Sequence, residues 1–195
     1  MAAAAEAGYL ESAGEDGYLV SKKGSDAIEI VHDSFYTHVN KINKFSDKKM
    51  MALTGLLLKL VDSASQAVLK TDLLCLNLSH LGHPKVDEGT LAKADQYLDD
   101  MNAFRDDAHI AAWIPTGLSG QVWETFTFVW NGEANTAEKL AERLPFRNYG
   151  KDEYGQALEL LVKKGWIKSG DDGYVVTDEG KKVREDVEED TNTNY

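Results

Sequence analysis

The chain is poor in cysteine, proline and positive charge, and it has no long apolar run. A single cysteine, Cys75, excludes an internal disulfide and suits a reducing compartment. It sits in the apolar stretch TDLLCLNL and reads as a small core residue rather than a nucleophile. No apolar segment approaches the ~20 residues needed to cross a bilayer. Residues Ala2–Ala5 lack the basic start and long apolar core of a signal peptide. A cytoplasmic location with no membrane partner is the expectation. Three prolines, Pro84, Pro115 and Pro145, leave long stretches free for helix and mark breaks. Only 21 basic residues stand against 33 acidic ones, a formal charge of -12. Such a field repels nucleic acid everywhere except at a segregated basic patch.

What the chain does have is a repeat. Residues 8–24 read GYLESAGEDGYLVSKKG and residues 165–180 read GWIKSGDDGYVVTDEG. With one extra residue in the first copy, Gly8, Ser12, Gly14, Asp16, Gly17, Tyr18, Val20 and Gly24 fall on Gly165, Ser169, Gly170, Asp172, Gly173, Tyr174, Val176 and Gly180. Each copy has two short β-prone runs around a turn whose glycines accept positive φ. Each ends in a hydroxyl residue, Ser21 or Thr177, placed to cap a following helix. The unit is the wing of a winged helix.

Helical periodicity fills the space between the copies. Ile28, Val31, Phe35, Val39 and Ile42 step by three and four through a first long helix over 25–45. Ser46-Asp47 starts a second, reaching about Leu69 with Met50, Leu53, Leu57, Leu60 and Val61. Residues 70–88 read as irregular, broken at Gly82-His83-Pro84. A third helix spans about Glu88–Ala112, its inner face being Leu91, Ala94, Leu98, Met101, Phe104 and Ala108. A short apolar helix over Gly117–Trp130 follows, ended by Asn131-Gly132. Asn135 with Glu138 forms a capping-box pattern before Thr136–Leu144. After Pro145 and a turn comes the helix Lys151–Lys164, which hands the chain to the second wing through Gly165. Helix, turn, helix, wing is the winged-helix order.

The second half resembles the MarR-like winged helix-turn-helix family. The residues carrying the resemblance are 98–113, 117–147, 154–167 and 173–191, and the segment RDDAH at 105–109 is similar to a narrower group of bacterial winged-helix proteins. The resemblance implies a winged-helix fold and a DNA-binding regulator; double-stranded DNA, a homodimer formed through the long helices and a small apolar effector are the expected partners. The first copy departs from that pattern, because only MAAAAEA stands before Gly8. It is expected to be a partial wing, its front half lost or lying upstream, and to need packing from elsewhere.

The expected architecture is α+β and mainly α. It comprises a partial wing hairpin (1–24), a long-helix bundle serving dimerisation (25–115), a winged helix (116–190) and a flexible tail (191–195). DNA contacts are expected from Arg143, Arg147, Asn148, Lys151, Tyr154, Gln156 and Lys168, at the turn, the recognition helix and the wing. Against them stand Asp152 and Glu153 at the helix start and Asp171-Asp172 at the wing tip. A second reading follows from those charges: a winged helix used for protein contact or ligand sensing. Trp113, Trp123, Glu124, Arg105, Asp106 and His109 are the candidate pocket residues, with Trp113 and Trp123 open between core and ligand contact. The carboxylates Asp99, Asp100, Asp106 and Asp107 read as a solvated helix face, and His80 and His83 as a surface loop. No glycine-rich phosphate loop, nucleophile elbow or zinc signature is present. An enzyme is therefore not expected, nor a cofactor or metal.

Overall fold

The computed structural model describes residues 2–14 and 17–195. Met1, Glu15 and Asp16 lie outside the described residues, so the middle of the first hairpin turn and one matched position of the repeat do too. The fold is α+β and mainly α. The elements are α1 (Ala2–Glu6), β1 (Leu10–Ser12), β2 (Tyr18–Val20), α2 (Lys22–Ile42), α3 (Asp47–Ser65), α4 (Leu74–Gly82), α5 (Leu91–Trp113), α6 (Gly120–Asn131), α7 (Ala137–Arg143), α8 (Lys151–Lys163), β3 (Ile167–Gly170), β4 (Gly173–Val176) and α9 (Asp178–Asn194). Short 3-10 turns at Ile114–Thr116 and Pro145–Arg147 hold two of the three prolines.

Both hairpins are antiparallel pairs, with Leu10 opposite Val20 in the first and Ile167 opposite Val176 in the second. Their entries match. Tyr9 N–H donates to Ala4 O at 2.8 Å and Gly8 N–H to Ala5 O at 2.9 Å. Trp166 N–H likewise donates to Leu161 O at 3.1 Å and Gly165 N–H to Val162 O at 2.9 Å. This pattern is a Schellman close, and Gly8 and Gly165 adopt the same positive φ of 77° that it requires. Their exits match too. Ser21 Oγ accepts from Gly24 N–H and donates to Gly8 O at 2.7 Å. Thr177 Oγ1 accepts from Gly180 N–H and donates to Gly165 O at 2.6 Å. A Cβ on Gly24 would overlap the Tyr9 carbonyl, and one on Gly180 the Trp166 carbonyl. The first copy thus follows a short helix, α1, as the second follows α8.

The chain divides into two compact units, Met1–Ala67 with Leu74–Ala103, and Val68–Leu73 with Phe104–Tyr195. The division falls within α5. The first unit has a small core of Met50, Leu57, Val61, Ala94 and Tyr97. In it α4 stands where irregular chain is expected. Its run LCLNLSHLG is apolar on most sides, which hides a helical period, yet Leu76 is buried. Leu98, expected inside, is 52% exposed, because α5 turns its buried Ala94, Tyr97 and Asp100 inward there instead. Asp100 accepts from Ser79 Oγ at 2.7 Å and lies 3.3 Å from His80 and 3.5 Å from His83. The two histidines thus clasp α4 and the following loop onto a buried carboxylate.

The second unit has the larger core. Phe126, Leu140, Tyr154, Leu158, Leu161 and Ile167 are all at most 1% exposed within it, drawn from α6, α7, α8 and β3. Helix α9 runs to Asn194 where a polar tail is expected. Val187 and Thr191 continue its inner face, Thr191 is wholly buried, and the Tyr195 ring lies 5.8 Å from that of Phe104. The N-cap of α7 is Thr136, whose Oγ1 accepts from Lys139 N–H, rather than Asn135.

Candidate nucleic-acid interface

The second unit places α7, a tight turn, α8 and the β3–β4 wing in order. The turn is closed by Pro145 and by Asn148 at φ 57°, a left-handed position that asparagine tolerates. Glu153 reaches back to accept from Gly150 N–H at 2.8 Å and so fixes the start of α8. Buried Tyr154, Ala157, Leu158 and Leu161 hold the inner face of α8. Lys151, Asp152, Glu153, Gln156, Glu159 and Lys163 are exposed on the outer one, with Leu160 and Val162 exposed toward its carboxyl end.

Asn135 performs a different task from the cap expected of it. Its carbonyl accepts from Tyr174 N–H at 2.9 Å and its Nδ2 donates to Asp172 O at 2.8 Å. Lys139 Nζ completes the contact with Asn135 Oδ1 and Asp172 Oδ2. The wing is thereby latched to the segment before α7. Gly173, at φ 111°, is needed there because a Cβ would strike Asn135.

The expected contact residues are not equivalent in the structure. Arg143, Arg147, Lys151, Gln156 and Lys168 are exposed, and so is Asn148. Tyr154 is not: it is wholly buried, so it faces the core and cannot reach a groove. Its hydroxyl is pushed above the usual tyrosine range, chiefly by burial. Three of the cations already hold carboxylates. Arg147 donates to Glu124 Oε1 through Nε at 3.1 Å and Nη2 at 2.7 Å, and that hydrogen bond raises its pKa. Arg143 lies 3.4 Å from Glu133, and Lys151 3.7 Å from Glu138. The Glu138 carboxyl is held below its usual range by its own backbone N–H and then by Lys151. Exposed pairs of this kind are worth ~1 kcal/mol or less, so a phosphate can displace them.

The six pocket candidates do not form one site. Trp123 is 5% exposed, stacked on Trp113 at 6.0 Å and edge-on to Phe126, with the Arg184 guanidinium over its face at 5.0 Å. Trp123 and Glu124 border an open cleft of about 300 Å³ with Arg147 and Tyr149. Arg105 instead pairs with Glu188, and Asp106 is exposed on α5. His109 is a structural link. Trp123 Nε1–H donates to its Nε2 at 3.3 Å, and its Nδ1 lies 3.0 Å from Thr191 Oγ1. Because Thr191 Oγ1 already donates to Val187 O, it must accept from His109, which fixes the Nδ1–H neutral ring. Burial, the largest effect, pulls the His109 pKa down and favours that form.

Sequence reasoning missed Arg184. It is 6% exposed between Trp123 and Trp130, 5.0 and 4.9 Å from their rings, and it donates to Glu188 Oε1 at 2.8 Å. The available signal is its position, four after Gly180 and three before Val187 on the inner face of α9. Among the described residues, no three His, Cys, Asp or Glu side chains are grouped so as to hold a metal ion.

Two helices, a tight turn and a latched two-stranded wing define a winged helix. The helix-turn-helix family matches residues 54–194, and the chain belongs to it. The match takes in most of α3 and all of α4–α9, and leaves the first hairpin and α2 outside. No curated protein and no solved structure matches the chain.

Proposed function

We propose that this is a winged-helix DNA-binding protein of the MarR-like kind, a transcriptional regulator acting as a homodimer in the cytoplasm. One observation supports this above the others: α8 turns a polar outer face to solvent, with Arg143, Arg147, Lys151 and Lys168 around it. In this reading α8 enters the major groove, where Gln156 has the donor and acceptor to read an adenine edge. Lys151, Arg143 and the wing's Lys168 hold phosphates. A phosphate at Arg143 or Lys151 must displace a carboxylate, so binding is weak and confined to low salt.

Gel shifts on mixed-sequence duplex DNA test this. At ~50 mM salt the dissociation constant is expected in the micromolar range, as for non-specific binding. Lys168→Glu with Lys151→Glu should weaken it at least tenfold. Glu138→Gln, which releases Lys151, should tighten it. No shift at ~100 µM protein in low salt overturns the proposal. A second reading then takes its place, protein contact or ligand sensing, supported by the carboxylate-paired arginines and the open cleft beside Trp123 and Glu124.

A further inference from the structure

One apolar stripe of α2 is symmetric about Phe35, although the helix as a whole is not: Ile30, 69% exposed, has Asn40 as its mirror position. Four residues to either side stand Val31 and Val39, and three further out stand Ile28 and Ile42. On α9, the helix that follows the other hairpin, Val187 and Thr191 occupy the positions of Val31 and Phe35 and are buried. On α2 the face is open at Ile28 (47% exposed), Val31 (64%), Phe35 (51%) and Ile42 (52%), while Val39 is half-buried.

Charge changes sign about the same residue. Residues 26–33 carry Asp26, Glu29 and Asp33 and no lysine or arginine; residues 37–44 carry Lys41 and Lys44 and no carboxylate. At the amino end Lys22 and Asp26 neutralise each other at 2.9 Å, and Lys23 is held by Ala7 O and the Tyr9 ring, which leaves Glu29 and Asp33 as the acidic half. An apolar pattern symmetric about a point, with charge antisymmetric about it, suits one arrangement in particular. That arrangement is two copies of the helix packed antiparallel on a two-fold axis.

We infer that α2 is a homodimer interface in which two copies of this chain pair antiparallel through Phe35. Phe35 meets its own counterpart on the axis. Val31 meets Val39 of the second copy, and Ile28 meets Ile42. The acidic half of each helix lies beside the basic half of the other, and the helix dipoles oppose. The stripe continues at its amino end into an apolar groove of about 370 Å³ lined by Tyr9, Leu10, Val20, Ala27, Ile28 and Val31. Antiparallel pairing brings Phe45 of the second copy, 55% exposed just past the helix, toward that groove. Some seven side chains, each about half exposed, offer on the order of 100 Å² apiece. Together they approach the ~800 Å² per partner of a stable interface. The inference rests on the homodimer in the function proposed above and supplies its surface; DNA plays no part in it.

Cysteine cross-linking of the full chain, with Cys75→Ser as background, tests the geometry. Phe35→Cys is expected to oxidise to a covalent dimer. Ile28→Cys and Ile42→Cys should each cross-link poorly alone and efficiently when mixed. Light scattering on the wild-type chain should give twice the 21.6 kDa chain mass. Phe35→Glu should raise the dimer dissociation constant at least a hundredfold while circular dichroism stays unchanged. Efficient self-cross-linking of Ile28→Cys would mean a parallel pair and overturns the inference, as does a dimer indifferent to Phe35→Glu. A monomeric wild type at ~100 µM, well above the Kd of stable dimers, overturns it together with the homodimer; gel shifts then judge the DNA reading separately.

Discussion

Gly8 and Gly165 share a φ of 77°, Ser21 and Thr177 make the same pair of hydrogen bonds, and Gly24 and Gly180 admit no Cβ for the same reason. The side chains above this common backbone differ in burial. Ile167 is 1% exposed where Leu10 is half-buried, Val176 is half-buried where Val20 is 53% exposed, and Val187 is 4% exposed where Val31 is 64%. Where α9 carries Arg184, held between two indoles, α2 carries Ile28. The comparison separates two sources of order. Hydrogen bonds within some twenty residues set the shape of the hairpin unit; cover by α6 and α8 supplies the burial that stabilises the second copy.

The largest test of that separation is a matched pair of truncations. Ile167→Ala should cost about 3 kcal/mol, as for a fully buried aliphatic, and Leu10→Ala about 1 kcal/mol or less in dilute monomer. Urea unfolding followed by circular dichroism measures both, and equal costs would break the comparison. Next come the glycines. Gly180→Ala forces the wing off a packed core and should cost about 2–3 kcal/mol, whereas in Gly24→Ala the uncovered hairpin lifts away for about 1 kcal/mol. The smallest effect concerns the cover itself. His109, which bonds Thr191 at the position equivalent to Phe35, has its pKa lowered by burial from 6.5. The unfolded chain therefore takes up a proton below about pH 6.5 that the folded chain resists, and stability falls as pH falls. Thermal midpoints between pH 7.5 and 5.5 should decline less in His109→Phe than in wild type; identical slopes would remove His109 from the account.

Elements opened by a local cap are legible in the sequence. Ser21 and Thr177 mark the starts of α2 and α9, and Gly132 and Gly165 the ends of α6 and α8, because each needs only its nearest neighbours. Features that depend on distant partners are not. Asn135 and Thr136 are both good caps, and only the wing's approach through Asp172 and Tyr174 assigns them different tasks. Tyr154 at the start of α8 reads as polar until the core claims its ring. Arg184 reads as a solvated helix charge until Trp123 and Trp130 close on it. The same holds at the interface: the arginines are visible in the sequence, but the carboxylates that engage them come from other helices and loops.

The placement of the tryptophans has a practical consequence. Trp113, Trp123, Trp130 and Trp166, all four in the chain, belong to the unit that holds the winged helix. Indole emission is therefore a private signal of that unit, tuned by the Trp113–Trp123 stack and the Arg184 guanidinium. Helix α2 and the first hairpin could melt completely while the emission spectrum held steady. Backbone dichroism, which sums every helix, would register the loss. Divergence of the two signals on heating would then count the cooperative units in this chain.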